Sequence, residues 1–161
     1  MKAIISDEAA FAVFVGSRFP YYRDRWQVAA AHNGMAWNWA AFFFGPFWMA
    51  YRRMYWQVGV YAIVLCAEPV LHALFHVQMP DVLARPLAYA MALVLGFYGN
   101  QLYRMHAEST IRRLRDYHWS PEVVNDSLAR CGRTSWPGVA AMALLIAVML
   151  VSLWPLAKLV A

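Results

Sequence analysis

The chain has 161 residues, of which 62% are hydrophobic and 14% charged, and its formal net charge is +5. Soluble domains average about 45–50% apolar and about 25% charged residues, so this composition favours a protein that faces lipid. The positive charge comes with no recognised nucleic-acid-binding motif. We therefore expect no nucleic-acid partner, and the length predicts a single domain.

The N-terminal part is predicted to form two short helices. Acidic residues around Asp7 favour a helix start, and Gly16 is expected to end this first helix. Pro20 is suited to the first turn of a second helix, which Gly34 is expected to end. Residues 1–34 are accordingly assigned to helices in the cytoplasm or on the membrane surface.

Three long tracts of the chain carry almost no formal charge. Between Trp56 and Pro80 the one charged residue is Glu68, and neither Pro86–Tyr103 nor Thr134–Ala157 contains any. A membrane-spanning helix needs roughly 20 mostly apolar residues. The sequence therefore predicts an all-α integral membrane protein. Its transmembrane helices are assigned to 56–78, to 86–104 with a cytoplasmic continuation to 118, and to 136–157, with a short cytoplasmic helix at 121–131 that Ser120 caps.

The distribution of Lys and Arg sets the expected orientation. With three crossings, one side of the membrane carries twelve of the 14 basic residues and the other side carries Arg85 and Lys158. A further crossing at residues 35–51 would change the split to eight and six. The positive-inside rule prefers the first arrangement. It predicts a cytoplasmic N-terminus and a periplasmic C-terminus.

Residues 35–55 are assigned to an aromatic segment at the membrane interface or dipping into it, broken at Gly45-Pro46. A proline without an amide donor next to a flexible glycine disfavours a straight helix there. Aromatic and basic side chains are favoured in the headgroup region of a bilayer. The residues assigned to the interface are Trp37, Trp39, Trp48, Arg52 and Arg53.

Glu68, His72 and His76 are the candidate intramembrane polar site. Their i, i+4, i+8 spacing places them along one stripe of a helix. An ionisable residue inside a membrane is a functional candidate by default, because burying its charge in lipid is costly. Proton or ion movement, metal or haem binding, and plain packing with a protonated Glu68 all remain open. No second cluster of ligands accompanies the stripe, so no metal site and no cofactor is assigned.

Gly96, Gly99 and Asn100 are assigned to helix packing. Small residues let membrane helices approach closely, and an asparagine can donate and accept hydrogen bonds across the contact. A ligand site is the alternative for this group. Further along the same helix, the spacing of Glu108 and Arg112 predicts an ion pair.

The segment Asn38-Trp39-Ala40-Ala41-Phe42-Phe43-Phe44-Gly45-Pro46-Phe47-Trp48, followed by Tyr51-Arg52-Arg53-Met54-Tyr55, resembles a family of small bacterial membrane proteins whose function is unknown. Phe14-Val15-Gly16, Tyr21-Tyr22 and Trp26 upstream, and Gly99-Asn100, Tyr103 and His106 downstream, are similar to the same pattern. The resemblance covers roughly residues 11–133. It implies a bacterial inner-membrane protein and carries no activity.

Motifs of nucleophilic, metallopeptidase, phosphate-binding and dinucleotide-binding enzymes are absent from the sequence. We therefore expect a non-catalytic protein, an accessory or scaffold subunit of a larger membrane assembly. Its expected partners are the lipid bilayer and other membrane subunits or copies of itself. Two alternatives stay open: a homo-oligomeric channel or carrier that uses Glu68, His72 and His76, and a metal or haem carrier.

Overall fold

The structure is a computed structural model that describes residues 7–75, 81–117 and 120–160. Within these helices, the side chains at 65, 68–69, 71–74, 81–85, 87–88, 149–150 and 152–160 are not described. The described chain is helical throughout and contains no strand, which confirms the all-α prediction. Its elements are α1 (Asp7–Val15), a 3₁₀ turn (Gly16–Arg18), α2 (Phe19–Ala31), α3 (Trp39–Tyr51), α4 (Tyr55–Phe75), α5 (Asp81–Asp116), α6 (Pro121–Gly132) and α7 (Trp136–Val160).

Helix ends follow the local chemistry in most places. Gly16 has φ +70° and Gly34 has φ +87°, so each glycine adopts a backbone conformation that ends the helix before it. The Gly34 amide donates to the Ala29 carbonyl at 2.7 Å. At the start of α7, the Ser135 hydroxyl accepts from the Gly138 amide at 3.0 Å. Ser120 precedes α6 as predicted, but its side chain makes no capping hydrogen bond.

Helix α3 is broken where the sequence predicts it. Gly45 has φ +23° and ψ −100°, which lies outside the helical region, and Pro46 follows directly. A Cβ atom at Gly45 would lie 3.3 Å from Cδ1 of Leu95. The break therefore combines an unusual backbone conformation with a close approach of α3 to α5.

The core is an aromatic cluster built by α1, α2, α3 and α5. Tyr103 of α5 lies at its centre and is fully buried. Its ring centroid lies 4.7 Å from that of Tyr22, 6.1 Å from Trp26, and 6.3 Å from both Phe14 and Trp48. Because these rings come from four helices, their packing fixes the helices relative to one another.

The helices separate into a basic group and an apolar group. Helices α1, α2 and α6 pack against one another or against α5. Seven of the 12 arginines lie on α2, on α6 and on the part of α5 that follows Asn100. Helices α4 and α7 pack mainly against α3. On α5, Glu108 pairs with Arg104 at 2.8 Å and not with Arg112 as predicted.

In the described part of the chain, no helix taken alone is long and apolar enough to cross a membrane. One bent pair of helices, Pro121–Gly132 with Trp136–Val148, has the required length and hydropathy when the two are taken together.

Gly132 provides a test of the contact between α1 and α6. A Cβ atom at this position would overlap the carbonyl group of Phe14. We expect Gly132→Ala to destabilise the protein by about 1–3 kcal/mol or more, because backbone cannot yield as a side chain can. Thermal unfolding of the purified protein measures this. The control is Gly59→Ala, where the new methyl group meets open space; an equal loss in both variants would contradict the prediction.

His106 predicts a dependence of stability on pH. Burial, with the nearby charge of Arg113, lowers the pKa of this imidazole, whose edge meets the Phe14 ring. Below about pH 6.5 the unfolded chain binds the proton more readily than the folded protein, so stability falls as the pH drops from 7.5 towards 5.5. We expect His106→Gln to lose less stability over this range than the wild type. A wild-type slope in the His106→Gln variant would contradict the prediction.

Candidate functional site

Two buried asparagines hold the aromatic segment against α5. Asn38 and Asn100 are almost completely buried. Asn38 Nδ2 donates to Asn100 Oδ1 at 2.9 Å, and Asn100 Nδ2 donates to the Ala36 carbonyl at 3.0 Å. Asn38 Oδ1 accepts from the Ala41 amide at 3.0 Å and so caps α3. The buried amides are thereby paired with partners, which their burial requires.

Backbone hydrogen bonds complete this attachment. The Ala36 amide donates to the Phe97 carbonyl at 3.0 Å, and the Asn38 amide donates to the Gly96 carbonyl at 2.8 Å. Trp26 Nε1 donates to the Asn100 carbonyl at 2.9 Å. The chain before α3 therefore lies directly on the backbone of α5.

Two glycines of α5 make this approach possible. A Cβ atom at Gly99 would lie 2.7 Å from the Ala41 Cβ, and one at Gly96 would lie 3.0 Å from the Trp37 ring. A side chain at either of these two positions would push the aromatic segment away from α5. Gly96, Gly99 and Asn100 thus all lie where the aromatic segment crosses this helix.

Arg52 follows α3 and is buried among tyrosine rings. Its Cζ lies 4.8 Å from the ring centroid of Tyr22, 5.2 Å from Tyr103 and 5.8 Å from Tyr51. Its exposed fraction is 9%. Nε of Arg52 has no hydrogen-bond partner, and no carboxylate of the described residues forms an ion pair with it.

The environment of Arg52 also affects Tyr22. Burial raises the pKa of the Tyr22 hydroxyl, and the positive charge of Arg52 offsets part of this rise. Burial without an acidic partner is costly for a guanidinium group. Cation–π attraction to the aromatic faces offsets part of this desolvation free energy, by about 2 kcal/mol or more where water is excluded.

A cleft of about 1370 Å³ opens beside Arg52. Its basic lining residues are Arg18, Arg52 and Arg133, and no carboxylate lines it among the residues that the structure describes. Ser17 and Thr134 contribute hydroxyl groups. One wall is apolar and is formed by α3 and the start of α7, with the side chains of Trp39, Phe44, Phe47, Trp48, Trp136 and Val139. The cleft therefore joins a basic end to an aromatic wall.

The structure places the predicted interface residues in different environments. Trp39 is 64% exposed, whereas Trp48 and Arg52 are buried within the protein. Trp37 is half-buried, and its Nε1 has no hydrogen-bond partner. Arg53 has φ +58° and donates to the Arg130 carbonyl at 3.1 Å, which links the end of α3 to α6.

The predicted polar stripe lies outside the part of the chain whose side chains are described. Glu68 and His72 fall on α4 at positions without a described side chain, and His76 lies beyond its described end. Among the described residues, no three His, Cys, Asp or Glu side chains are grouped as metal ligands would be.

Sequence reasoning assigned no role to Tyr22, Trp26, Asn38 or Tyr103, which build most of the site. A usable signal was present in the sequence for three of these four residues. Tyr22 and Trp26 are four residues apart and so share a helix face. Asn38, before a run of apolar residues, has the position of a helix cap. Tyr103 had no local signal, because its role depends on contacts with three other helices.

The fold and the site define an all-helical protein with an aromatic core, a buried asparagine pair and a basic cleft. A family model described as "Protein of unknown function (DUF2628)" matches residues 4–109. The chain belongs to this family. The match begins and ends earlier than the resemblance at roughly 11–133 indicated, and it leaves out α6 and α7. No match was found among curated proteins or among solved structures.

Asn100 tests the attachment of the aromatic segment. We expect Asn100→Leu to destabilise the protein by about 2–4 kcal/mol, because the Asn38 amide and the Ala36 carbonyl lose their partner while they stay buried. Thermal unfolding measures the loss. The matched control is Asn125→Leu, since the Oδ1 atom of Asn125 has no hydrogen-bond partner. A small effect at Asn100, equal to that at Asn125, would contradict the proposed importance of the pair.

Proposed function

We propose that this protein is a non-catalytic integral membrane protein of the bacterial inner membrane that serves as an accessory or scaffold subunit of a larger membrane assembly. The observation that carries the proposal is the apolar surface of α4 and α7. Trp56, Ile63, Leu144 and Val151 on these helices are between 66% and 80% exposed. Water-soluble monomers rarely expose such a surface over a large area.

Further side chains extend this apolar surface. On α4, Val60, Val64, Val70 and Phe75 are exposed, and on α7 the same holds for Leu145 and Val148. The two helices find their main described partner in α3, which leaves their other faces uncovered. Lipid or another membrane subunit would cover these faces at no cost in desolvated charge.

The separation of basic and apolar helices supports the proposed orientation. Arginines are concentrated on α2, α6 and the second half of α5, and α1 packs against these helices. The positive-inside rule assigns such a group to the cytoplasm. On this proposal, the apolar helices enter the membrane and the basic helices form a cytoplasmic unit that a partner can contact.

A topology reporter tests the membrane proposal. We expect alkaline phosphatase fused after Ala161 to be active in the periplasm, since three crossings carry the C-terminus outwards. The same enzyme fused after Gly34 should be inactive, and the fusion after Ala161 should remain in the membrane fraction after alkaline washing. Inactivity after Ala161 would contradict three crossings, and release of the protein by alkali would contradict membrane integration.

Purification from membranes in a mild detergent tests the accessory role. We expect the tagged protein to elute in a complex with at least one other membrane protein. The mass of this complex should exceed the mass that copies of this chain alone account for. A homo-oligomer without other subunits would favour the channel or carrier. A haem absorption band, or stoichiometric metal, would favour the carrier of such a group.

A further inference from the structure

We propose that the cleft beside Arg52 binds an anionic phospholipid, with the phosphate group at Arg52 and an acyl chain along the aromatic wall. This inference deepens the proposed function and relies on it for access to lipid. The cleft would bind one lipid molecule at a specific site, whereas the apolar faces of α4 and α7 would contact bulk membrane lipid without specificity.

The first argument is the charge of Arg52. This guanidinium is 9% exposed, has no ion pair with a described carboxylate and leaves Nε unpartnered. Three tyrosine rings surround it, and the hydroxyl groups of Tyr22 and Tyr103 also interact with it, but none of these groups carries a negative charge. A guanidinium group binds phosphate through paired, charge-assisted hydrogen bonds. An anion that enters the cleft would supply the counter-charge that the protein itself lacks there.

The second argument is the composition of the cleft around this charge. Arg18 and Arg133 add positive charge to the lining, Ser17 and Thr134 add hydroxyl donors, and none of the described lining residues is acidic. Both of these arginines are exposed, so they are available to a ligand. This set suits a phosphate group, whose several oxygens accept more hydrogen bonds than a chloride ion or a single carboxylate.

The third argument is the apolar wall. Trp39, Phe44 and Trp136 line the cleft and are 63–71% exposed. A small hydrophilic anion would leave these rings in water, whereas an acyl chain would cover them and gain about 25 cal/mol for each Å² removed from water. The ligand should therefore carry a phosphate and a hydrocarbon chain in one molecule.

The fourth argument is the position of the cleft in the chain. It is lined by the ends of α1 and α6, the start of α2, the aromatic helix α3 and the first residues of α7. It thus lies where the basic helices meet α7, whose uncharged tract is assigned to the membrane. This junction corresponds to the headgroup level of the bilayer, where aromatic rings also concentrate.

Lipid binding by the purified full-length protein tests the proposal. The protein, in a nonionic detergent, is titrated with short-chain phosphatidylglycerol, with phosphatidylcholine of the same chains, and with inorganic phosphate. Tryptophan fluorescence reports binding, because three tryptophans line the cleft. We expect the anionic lipid to bind at least about tenfold more tightly than the zwitterionic lipid, which corresponds to 1.4 kcal/mol. Inorganic phosphate should bind much more weakly than the anionic lipid.

Variants locate the interaction. We expect Arg52→Gln to weaken binding of the anionic lipid by about tenfold or more, since the variant loses the charge-assisted hydrogen bonds to the phosphate group. Binding of the zwitterionic lipid should change little. Arg112→Gln is the control for net charge, because Arg112 is exposed on α5 and does not line the cleft; it should bind as the wild type does.

Two further variants keep the test decisive if Arg52→Gln does not fold. The double variant Arg18→Gln/Arg133→Gln changes exposed residues only and should weaken binding of the anionic lipid selectively. Phe44→Ser should weaken both lipids and leave phosphate unaffected.

Equal affinity of the wild-type protein for both lipids would overturn the proposal, as would unchanged binding in the double variant. Phosphate that binds as tightly as the anionic lipid would overturn the assignment to a lipid. All of these results are obtained in detergent, so they leave the membrane topology to be decided by the reporter fusions alone.

Discussion

The attachment of the aromatic segment to α5 through Asn38 and Asn100 is the contact on which the rest of the structure depends. The two side chains satisfy each other and also the adjoining backbone, so the segment can be buried without unpaired polar groups. Gly96 and Gly99 leave the space that this approach requires. Since α4 and α7 pack mainly against α3, the direction in which α3 leaves Asn38 also sets the position of the apolar helices.

The same attachment decides the environment of Arg52. Helix α3 begins after its cap at Asn38 and continues past the break at Gly45. Arg52 follows its last residue and therefore lies beside the tyrosines of α2 and α5. The resulting site is electrostatically incomplete, because the ion pairs of the described carboxylates are made with other arginines, which are exposed or half-buried. Surface pairs of that kind contribute little to stability. A buried cation beside an open cleft is a different case, because any anion it gains is bound where water screens least.

Local sequence was a good guide wherever one residue decides the backbone. The helix ends at Gly16 and Gly34 and the break at Gly45 follow from glycine's freedom at positive φ, and they lie where they were predicted. Predictions that involve a choice between partners were less accurate. Glu108 has an arginine on either side at i, i+4 spacing and pairs with Arg104, not with the predicted Arg112. Ser120 has a capping position without the capping hydrogen bond.

The sequence by itself determined the helical class, the ends of the first two helices at Gly16 and Gly34, the break at Gly45 and the long uncharged tracts. These features depend on residues that are near each other in the chain, and their periodicity and charge can be read directly. Only the tertiary structure decided that Trp48 and Arg52 are buried rather than exposed, and that Tyr22, Asn38, Asn100 and Tyr103 gather into one site. Tyr22 and Asn38 lie 62 to 81 positions before Asn100 and Tyr103, and their meeting depends on which helix faces pack together. Spacing along one helix does not specify that choice, because it is made by the shape and hydrogen-bonding of the partner helix.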